Sequence, residues 1–260
     1  MFLTQDFRFL RIRNRTTSRT KTCSLTQRAL SSSHNIPGSK GEFTYLKLQL
    51  PPAENTRVKK ATFVKSSPSV KLCPPDRYPE FALIGRSNVG KSSLINCLTE
   101  HNGLAKVSKE PGMTKLINHY LINDTWCIVD LPGYGFAKTA GKEARDSWIK
   151  FTKDFFISRD NLVHVLLLVD ASTPPQQLDM ECANWLAECE VPFAFVFTKI
   201  DSNKKEGPTC SKNIRAFKQM LAKDWEELPW CFETSSKTGS GKSELLGYLA
   251  SLRALHLMNA

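Results

Sequence analysis

The 260-residue sequence lacks any run of about 18 apolar residues, the length that a membrane-spanning helix requires. Its strongest candidate, LVHVLLLV at 162–169, is less than half as long and includes His164. The eight cysteines form neither a CxxC pair nor a cysteine–histidine cluster with zinc-finger spacing. We therefore expect no stable membrane insertion and no zinc site. The cysteines should stay reduced and pack as small hydrophobic residues.

Residues 1–40 contain a single acidic residue, Asp6, and eight lysines and arginines. This segment carries +7 of the net charge of +11, which leaves only +4 for residues 41–260. A body with so ordinary a charge balance does not indicate a DNA-binding module. The positive charge belongs to the first forty residues.

Residues 1–40 also contain twelve serines and threonines, and arginines interleave with apolar residues at their start. That composition is typical of an organelle transit peptide, whereas a secretory signal would need an uninterrupted apolar segment. The arginines favour the mitochondrial matrix, slightly, and the hydroxyl residues favour the chloroplast stroma. A disordered basic tail that binds RNA or acidic lipid is the alternative.

Residues 31–80 are broken by seven prolines, which predicts linker or surface coil. We place the linker at 41–60 and one domain at 61–260. From residue 81 onward, apolar strand-like runs alternate with segments of helical periodicity. The runs are 81–85, 116–122, 125–131, 164–171, 193–199 and 230–236, and the helical segments lie near 91–99, 143–158, 176–189, 211–225 and 241–256. This alternation predicts an α/β fold whose mostly parallel sheet is covered by helices on both faces.

One predicted helix, 176–189, carries an apolar stripe at spacings of three and four residues. The stripe consists of Leu178, Cys182, Trp185 and Cys189. We expect it to face the core, not a cofactor. The acidic residues in and directly after this segment should then form its solvated face; they are Asp179, Glu181, Glu188 and Glu190.

The sequence GRSNVGKS at 85–92 fits G-x-x-x-x-G-K-[ST] and stands between a strand-like run and a helix. Such a loop cradles phosphates with backbone N–H groups and the helix N-terminus. Lys91 would reach the β- and γ-phosphates, and the Ser92 hydroxyl would ligate Mg²⁺. The predicted nucleotide contacts of the loop are Gly85, Arg86, Ser87, Asn88, Val89, Gly90, Lys91, Ser92 and Ser93.

A near-match, SKTGSGKS at 236–243, has Ser236 where the motif requires glycine. We therefore interpret it as a loop and helix start with a different role.

The sequence DLPG at 130–133 ends an apolar strand downstream of the phosphate loop. Asp130 is placed to hold Mg²⁺, usually through water, and the Gly133 N–H to meet the γ-phosphate. Thr114 lies in the polar loop KEPGMTK and could offer its hydroxyl to Mg²⁺. An ordinary loop residue is the alternative for Thr114.

The sequence TKID at 198–201 predicts recognition of guanine. The Asp201 carboxylate can accept hydrogen bonds from N1–H and the exocyclic amine, a donor pair that adenine lacks. Lys199 would lie over the base, and Ser235 would present its backbone N–H to O6. The predicted base-binding residues are Thr198, Lys199, Asp201, Ser235, Ser236 and Lys237.

These five elements, in this order, resemble the Ras-like GTPases related to translation factors. GRSNVGKSSLIN, PGMTKLINHYLIN, DLPGYGFAK and FTKID are more similar still to the EngB/YihA family, particularly its plant organelle members. The resemblance covers roughly residues 61–255. It implies a single GTPase domain with switches at 105–115 and 134–145, GTP or GDP as ligand, Mg²⁺ as cofactor, and a role in assembling the large ribosomal subunit. Older descriptions of the family name cell division and septation.

The residue after DLPG is Tyr134, where a Ras-type site has a glutamine that orients the attacking water. We therefore expect slow intrinsic hydrolysis that a partner, a monovalent cation or both accelerate. Related GTPases stimulated by K⁺ carry an asparagine at the position of Asn88, so Asn88 is a candidate K⁺ ligand. The alternative is that Asn88 ties the loop to the first switch.

The leading hypothesis is a monomeric, Mg²⁺-dependent GTPase in which Lys91, Thr114, Gly133 and Asn88 serve the reaction. Its GTP-bound switches would dock on an organellar large ribosomal subunit or its rRNA. Basic residues in or beside the switches fit an RNA-facing surface, and fit a solvated loop equally; they are Lys106, Lys109, Lys115, Lys138, Lys142 and Arg145. A GTP-gated module in organelle division is the second hypothesis. A P-loop kinase is the third, and TKID would have no function in it.

Overall fold

The computed structural model describes residues 43–107, 116–134, 142–203 and 206–259. Seven strands form one sheet in the order β1-β3-β4-β2-β5-β6-β7. The strands are β1 (Ala61–Ser67), β2 (Glu80–Gly85), β3 (Ile117–Ile122), β4 (Trp126–Asp130), β5 (Leu162–Asp170), β6 (Phe193–Thr198) and β7 (Cys231–Glu233). The helices are α1 (Lys91–Thr99), α2 (Lys142–Ser158), α3 (Gln177–Glu188), α4 (Cys210–Leu221) and α5 (Lys242–Asn259).

The predicted α/β fold with a mostly parallel sheet is confirmed. Strands β4, β2, β5, β6 and β7 pair in parallel, whereas β3 pairs antiparallel with both β4 and β1. The five parallel strands bring their carboxyl ends to the same edge of the sheet. In open α/β sheets, ligands bind at that edge.

Every residue of β2 is buried, because helices cover both faces of the sheet. Phe81 and Leu83 pack on the face that α1 and α5 cover, and Ala82 and Ile84 pack on the face that α2, α3 and α4 cover. The strand therefore alternates between two apolar layers, although its sequence shows no polar alternation. The phosphate loop begins at Gly85, the last residue of this buried strand.

Strand β1 corrects the expectation of linker or coil over 31–80. It lies at the sheet edge, pairs antiparallel with β3, and has a bulge between Phe63 and Lys65. Its residues 62–65 are exposed, and Phe63 packs its ring 5.8 Å from that of Tyr120. An edge strand that exposes its middle residues lacks the apolar run of a central strand.

Residues 43–60, which we call the N-terminal strap, contact the domain at several places. Tyr45 forms a parallel β-bridge with Leu228, and the Trp230 indole N–H donates to the Leu46 carbonyl at 2.8 Å. Farther along, Arg253 of α5 donates to the Asn55 carbonyl at 3.0 Å. The Asn123 side chain then accepts from the Lys59 and Lys60 N–H groups. The strap thus joins the β7 side of the domain to the β3–β4 turn.

The described helices include none long and apolar enough to cross a bilayer. The seven cysteines in the described part of the chain are all free thiols. Burial raises the pKa of Cys127 to about 12, so this thiol behaves as the small hydrophobic residue that its strand predicts.

Candidate nucleotide-binding site

The phosphate loop connects β2 to α1 as the motif predicts. Gly90 is the residue before α1, and its φ of +109° lies in the region that favours glycine. Because Gly90 has no side chain, no side-chain cap satisfies the first N–H groups of α1. A helix N-terminus of this kind, at the end of a phosphate loop, is suited to bind an anion.

Lys91 and Asp130 are both almost fully buried. They lie close enough for their charges to interact. Burial lowers the pKa of Lys91, and the charge of Asp130 opposes that shift. Burial raises the pKa of Asp130 to about 6, although the Lys91 charge and a hydrogen bond with Asn118 act in the opposite direction. Asp130 Oδ1 is buried and accepts no hydrogen bond from the described residues. This unsatisfied carboxylate oxygen fits a hard cation such as Mg²⁺.

Gly133 brings its backbone against the phosphate loop. A Cβ built on Gly133 would lie 3.0 Å from the Gly85 carbonyl oxygen, 3.1 Å from the Ser87 nitrogen and 3.2 Å from Lys91 Nζ. Only a residue without a side chain fits this approach unless its neighbours move. DLPG and the phosphate loop, which are 38 or more positions apart in the chain, are thus in contact.

Asp201 and Ser235, which are predicted to recognise the base, lie together in the structure. Asp201 is exposed, and its Oδ1 accepts from the Ser235 hydroxyl at 2.6 Å. This hydrogen bond is the main cause that lowers the pKa of Asp201, with Lys237 contributing through its charge. The carboxylate is held ionised and oriented, as acceptance from guanine N1–H and N2 requires.

The Ser235 N–H, which was expected to meet guanine O6, already has an acceptor within its own loop. That N–H donates to the Ser240 carbonyl at 3.1 Å, because the loop after β7 closes tightly on itself. The Ser235 hydroxyl also accepts from the Thr238 N–H at 3.1 Å. The next N–H in the loop, that of Ser236, becomes the candidate for O6.

The near-match at 236–243 is a loop and helix start, as expected. A Cβ on Gly241 would overlap the Glu233 carbonyl oxygen, so the glycine is needed for packing against the end of β7. Lys242 begins α5 and forms an ion pair with Glu100. The segment 236–243 thus forms the loop that follows Ser235 and the first residues of α5.

Thr198 and Lys199 join the base side of the site to the phosphate loop. The Thr198 hydroxyl donates to the Val89 carbonyl at 2.6 Å. Lys199 Nζ donates to the Asn88 carbonyl at 2.8 Å and to Asp170 Oδ2 at 2.6 Å. Asp170 was missed by the sequence reasoning, although its position at the end of β5, on the edge that carries the site, was a usable signal.

Asp179 overturns the expectation that the acidic residues of α3 are all solvated. It is only 1% exposed and accepts from Arg86 Nε at 3.1 and 3.2 Å. The Tyr134 hydroxyl donates to the same carboxylate at 2.6 Å. Burial raises the pKa of Asp179, while the Tyr134 hydrogen bond and the Arg86 charge oppose that rise. Glu188 and Glu190 are exposed as expected.

The remaining predicted residues are placed as follows. Asn88 is exposed with a φ of +63°, Val89 is buried, and Lys237 is exposed. Ser87, Ser92, Ser93 and Ser236 are partly buried around the loops described above. Thr114 and most of both predicted switches lie outside the described residues, as do Lys109, Lys115 and Lys138. Lys106 is exposed.

The arrangement defines a class of protein. A phosphate loop precedes α1, an unsatisfied buried carboxylate ends the neighbouring strand β4, and an Asp–Ser pair stands at the base corner. Together on a mostly parallel sheet, they make a P-loop GTP-binding domain of the Ras-like type.

Comparison with known proteins narrows this class. A family model described as "50S ribosome-binding GTPase" matches residues 80–199. GTP-binding protein At2g22870 of Arabidopsis thaliana is 51% identical over 204 residues, which are 78% of this chain and 68% of that protein. The probable GTP-binding protein EngB of Porphyromonas gingivalis is 48% identical over 195 residues, which are 75% of this chain and 96% of that protein.

A crystal structure of a probable GTP-binding protein EngB has a TM-score of 0.52 at 23% identity, covering 67% of this chain and 98% of that one. This likeness supports the fold alone. The sequence identity over nearly the whole length of the bacterial relative is decisive for the family. The chain belongs to the EngB family of GTP-binding proteins, and it is a GTPase.

Proposed function

We propose that the protein is an organellar, Mg²⁺-dependent GTPase that acts as a switch in assembly of the large ribosomal subunit. The observation that carries the ribosomal role is the match of residues 80–199 to the family model described as a 50S ribosome-binding GTPase. Nearly half of the chain lies in this match, including the phosphate loop, DLPG and the first two residues of TKID. The exposed Lys106, which lies in the first predicted switch, is compatible with RNA nearby.

The phosphate side of the site supports GTP hydrolysis through positioning and charge. Lys91 and the N–H groups at the start of α1 would bind the phosphate oxygens, and the Gly133 N–H would meet the γ-phosphate. Ser92 and Asp130 would hold Mg²⁺, with Thr114 as a third proposed ligand. When bound, the metal neutralises charge that develops on the phosphate oxygens.

The base side supplies the preference for guanine. Asp201, oriented by the Ser235 hydroxyl, would accept from guanine N1–H and N2, and the Ser236 N–H would donate to O6. The Lys199 stem would lie along the base while its ammonium group stays with Asp170 and the Asn88 carbonyl. An adenine would leave the Asp201 carboxylate unpaired, so it should bind far more weakly.

Slow intrinsic hydrolysis is expected because Tyr134 has no side-chain amide that could orient the attacking water. Its hydroxyl donates its hydrogen bond to Asp179. We propose that K⁺ or a partner stimulates the reaction, with the exposed Asn88 as the K⁺ ligand. Hydrolysis rates in K⁺ and in Na⁺ test this, with Asn88→Ala as the variant. Equal rates in both salts for the unaltered protein would rule out the cation.

Targeting to an organelle is proposed from the composition of residues 1–40. The bacterial and plant relatives are compatible with a bacterial-type GTPase working in an organelle. Fluorescent fusions of the full chain and of a chain lacking residues 1–40 test this proposal. Loss of organelle import on removal of the segment supports it, and unchanged import would reject the segment as the signal.

The ribosomal role is tested by sedimentation of the full chain with organellar large subunits, in a non-hydrolysable GTP analogue and in GDP. We expect binding that depends on the analogue and is lost in Lys91→Ala. Asp201→Asn provides a sharper control, because its amide can donate to the C2 carbonyl of xanthine. This variant should bind subunits only with a xanthosine analogue.

Recovery with the xanthosine analogue would show that the bound nucleotide, and not a damaged fold, controls docking. If neither mature nor precursor subunits bind in any nucleotide state, the ribosomal role is rejected while the GTPase assignment stands. The division hypothesis would then take its place.

A further inference from the structure

Three residues from distant parts of the chain meet in one buried network. Arg86 belongs to the phosphate loop, Tyr134 follows the γ-phosphate motif, and Asp179 lies in the first turn of α3. One oxygen of the Asp179 carboxylate accepts both from the Tyr134 hydroxyl at 2.6 Å and from Arg86 Nε at 3.1 Å. We call these residues the Asp179 network.

The network is costly to build, which indicates that its geometry matters. Asp179 is buried in the first turn of α3, and a buried carboxylate requires a charged or hydrogen-bonding partner to remain there. Arg86 and Tyr134 provide both kinds of partner. Removing one partner leaves a charge or a polar group unsatisfied, so the three side chains have strong reason to stay together.

Tyr134 also connects the network to the helices behind it. Its ring lies 5.6 Å from that of Trp148 in an edge-on arrangement, and the Trp148 indole N–H donates to the Pro132 carbonyl at 2.7 Å. Trp148 lies in α2 and packs 5.7 Å from Trp185 of α3. A shift of Gly133 and Tyr134 would therefore reach both helices.

We propose that Asp179 is a positioning residue for GTP hydrolysis, which locks the Arg86 end of the phosphate loop to the Tyr134 end of the γ-phosphate motif. Through this lock, contact between Gly133 and the γ-phosphate changes the environment of Trp148 and passes to α2 and α3. Asp179 itself touches neither the nucleotide nor the water. Its role is to keep Arg86 and Tyr134 in register during hydrolysis.

Tyr134→Phe tests the proposal with the least disturbance, because it removes the hydroxyl and keeps the ring on Trp148. We expect GDP affinity within about twofold of the unaltered protein. The single-turnover hydrolysis rate should fall about fivefold or more at saturating GTP. The difference in tryptophan fluorescence between the GTP-analogue and GDP states should shrink, and Trp148→Phe identifies the part of that signal due to Trp148.

Tyr248→Phe is the matched control. Its hydroxyl forms a buried hydrogen bond of 3.1 Å with His164 on the other face of the sheet, away from the phosphate loop. This variant should lose stability comparably, but should keep its hydrolysis rate and its fluorescence difference. A general loss of rigidity would affect both variants alike and would overturn the proposal.

Asp179→Asn provides a second test, since the amide keeps an acceptor for Tyr134 but removes the charge that holds Arg86. We expect a loss of hydrolysis rate at least as large as in Tyr134→Phe, and less than the product of both losses in the double variant. An unchanged rate and fluorescence difference in folded Tyr134→Phe and Asp179→Asn would reject the network. Independent, multiplicative losses would reject the coupling.

Discussion

The Thr198 hydroxyl donates a hydrogen bond of 2.6 Å to the Val89 carbonyl, so the last residue of β6 holds the phosphate loop from behind. Both groups are buried, and the hydroxyl also lies 3.3 Å from the Val169 carbonyl. Base recognition and phosphate binding are therefore mechanically joined through one side chain. The TKID motif, which is predicted to choose the base, therefore also holds the phosphate loop in place.

Thr198→Val should weaken binding of GTP and GDP alike. Valine has the shape of threonine but leaves the Val89 carbonyl without its donor, which costs about 1 to 3 kcal/mol for a buried group. We expect about tenfold lower affinity for both nucleotides, measured with fluorescent analogues. Thr198→Ser keeps the hydroxyl and should retain most of the affinity; equal losses in the two variants would contradict this explanation.

Asp201→Asn should exchange guanine for xanthine. The carboxylate accepts two hydrogen bonds from guanine, whereas an amide accepts one and donates one, which matches xanthine. GTP affinity should fall by roughly a hundredfold or more, and XTP should become the better ligand. Competition of GTP and XTP against one fluorescent nucleotide measures the exchange. Retained preference for GTP would remove Asp201 from the base site.

Gly133→Ala should weaken the binding of a GTP analogue more than the binding of GDP. Its Cβ would press on the Gly85 carbonyl, the Ser87 nitrogen and Lys91 Nζ, all within 3.2 Å. Affinity for a GTP analogue should fall about tenfold, with a smaller loss for GDP, because the role proposed for the Gly133 N–H is to meet the γ-phosphate. Titration calorimetry with both nucleotides distinguishes this from equal losses, which would indicate a general distortion.

Gly247→Ala is the control for that substitution. Gly247 lies in α5, and among the described residues a Cβ there would meet only the Ala53 Cβ at 4.0 Å, an ordinary contact. Alanine in a helix is favoured over glycine by up to about 1 kcal/mol. The variant should be slightly more stable and bind nucleotide normally.

Folding stability should fall as the pH drops because of His164. Complete burial lowers the pKa of His164 to about 3 in the folded protein, whereas an unfolded histidine has a pKa of about 6.5. Between these two pKa values, His164 is protonated in the unfolded chain and neutral in the folded chain. The contribution is fully present above about pH 6.5 and is lost progressively as the pH falls towards 3.

His164→Gln keeps an acceptor for Tyr248 but cannot titrate in this range. Between pH 6 and pH 4, the unfolding free energies of the two proteins should converge or cross, by up to about 1.4 kcal/mol per pH unit. Urea denaturation at several pH values measures this difference. Parallel pH curves would show that His164 does not titrate on unfolding.

The sequence predicted the central strands and the order of the motifs because each depends on local pattern. FALI, followed by GRSNVGKS, has one apolar run, one loop and one helix start, all within about twenty residues. The β1 strand was missed because it lies at an edge, exposes residues 62–65 and sits among prolines. Its partner, β3, is about fifty residues away.

The parts of the site that sequence did not predict depend on long-range contacts. Helical periodicity places Asp179 on the polar side of α3, and only the fold shows that Arg86 and Tyr134 come to it there. Likewise, Lys199 was expected over the base, but its ammonium group also meets Asp170 and the Asn88 carbonyl. Helical periodicity predicts which face of one helix is apolar, whereas these hydrogen bonds join residues from separate elements of the fold.

The N-terminal strap sets a practical boundary for anyone who shortens this chain. A fragment that begins at residue 61 would lose the Leu46 carbonyl that accepts from Trp230, the backbone partner of Leu228 and the Asn55 carbonyl on Arg253. Such a fragment should aggregate more readily and be cut faster by proteases near β7 and α5. Removal of residues upstream of Phe43 leaves all of these contacts in place. If residues 1–42 are cleaved off, as the transit-peptide proposal requires, the strap contacts of the GTPase domain are therefore retained.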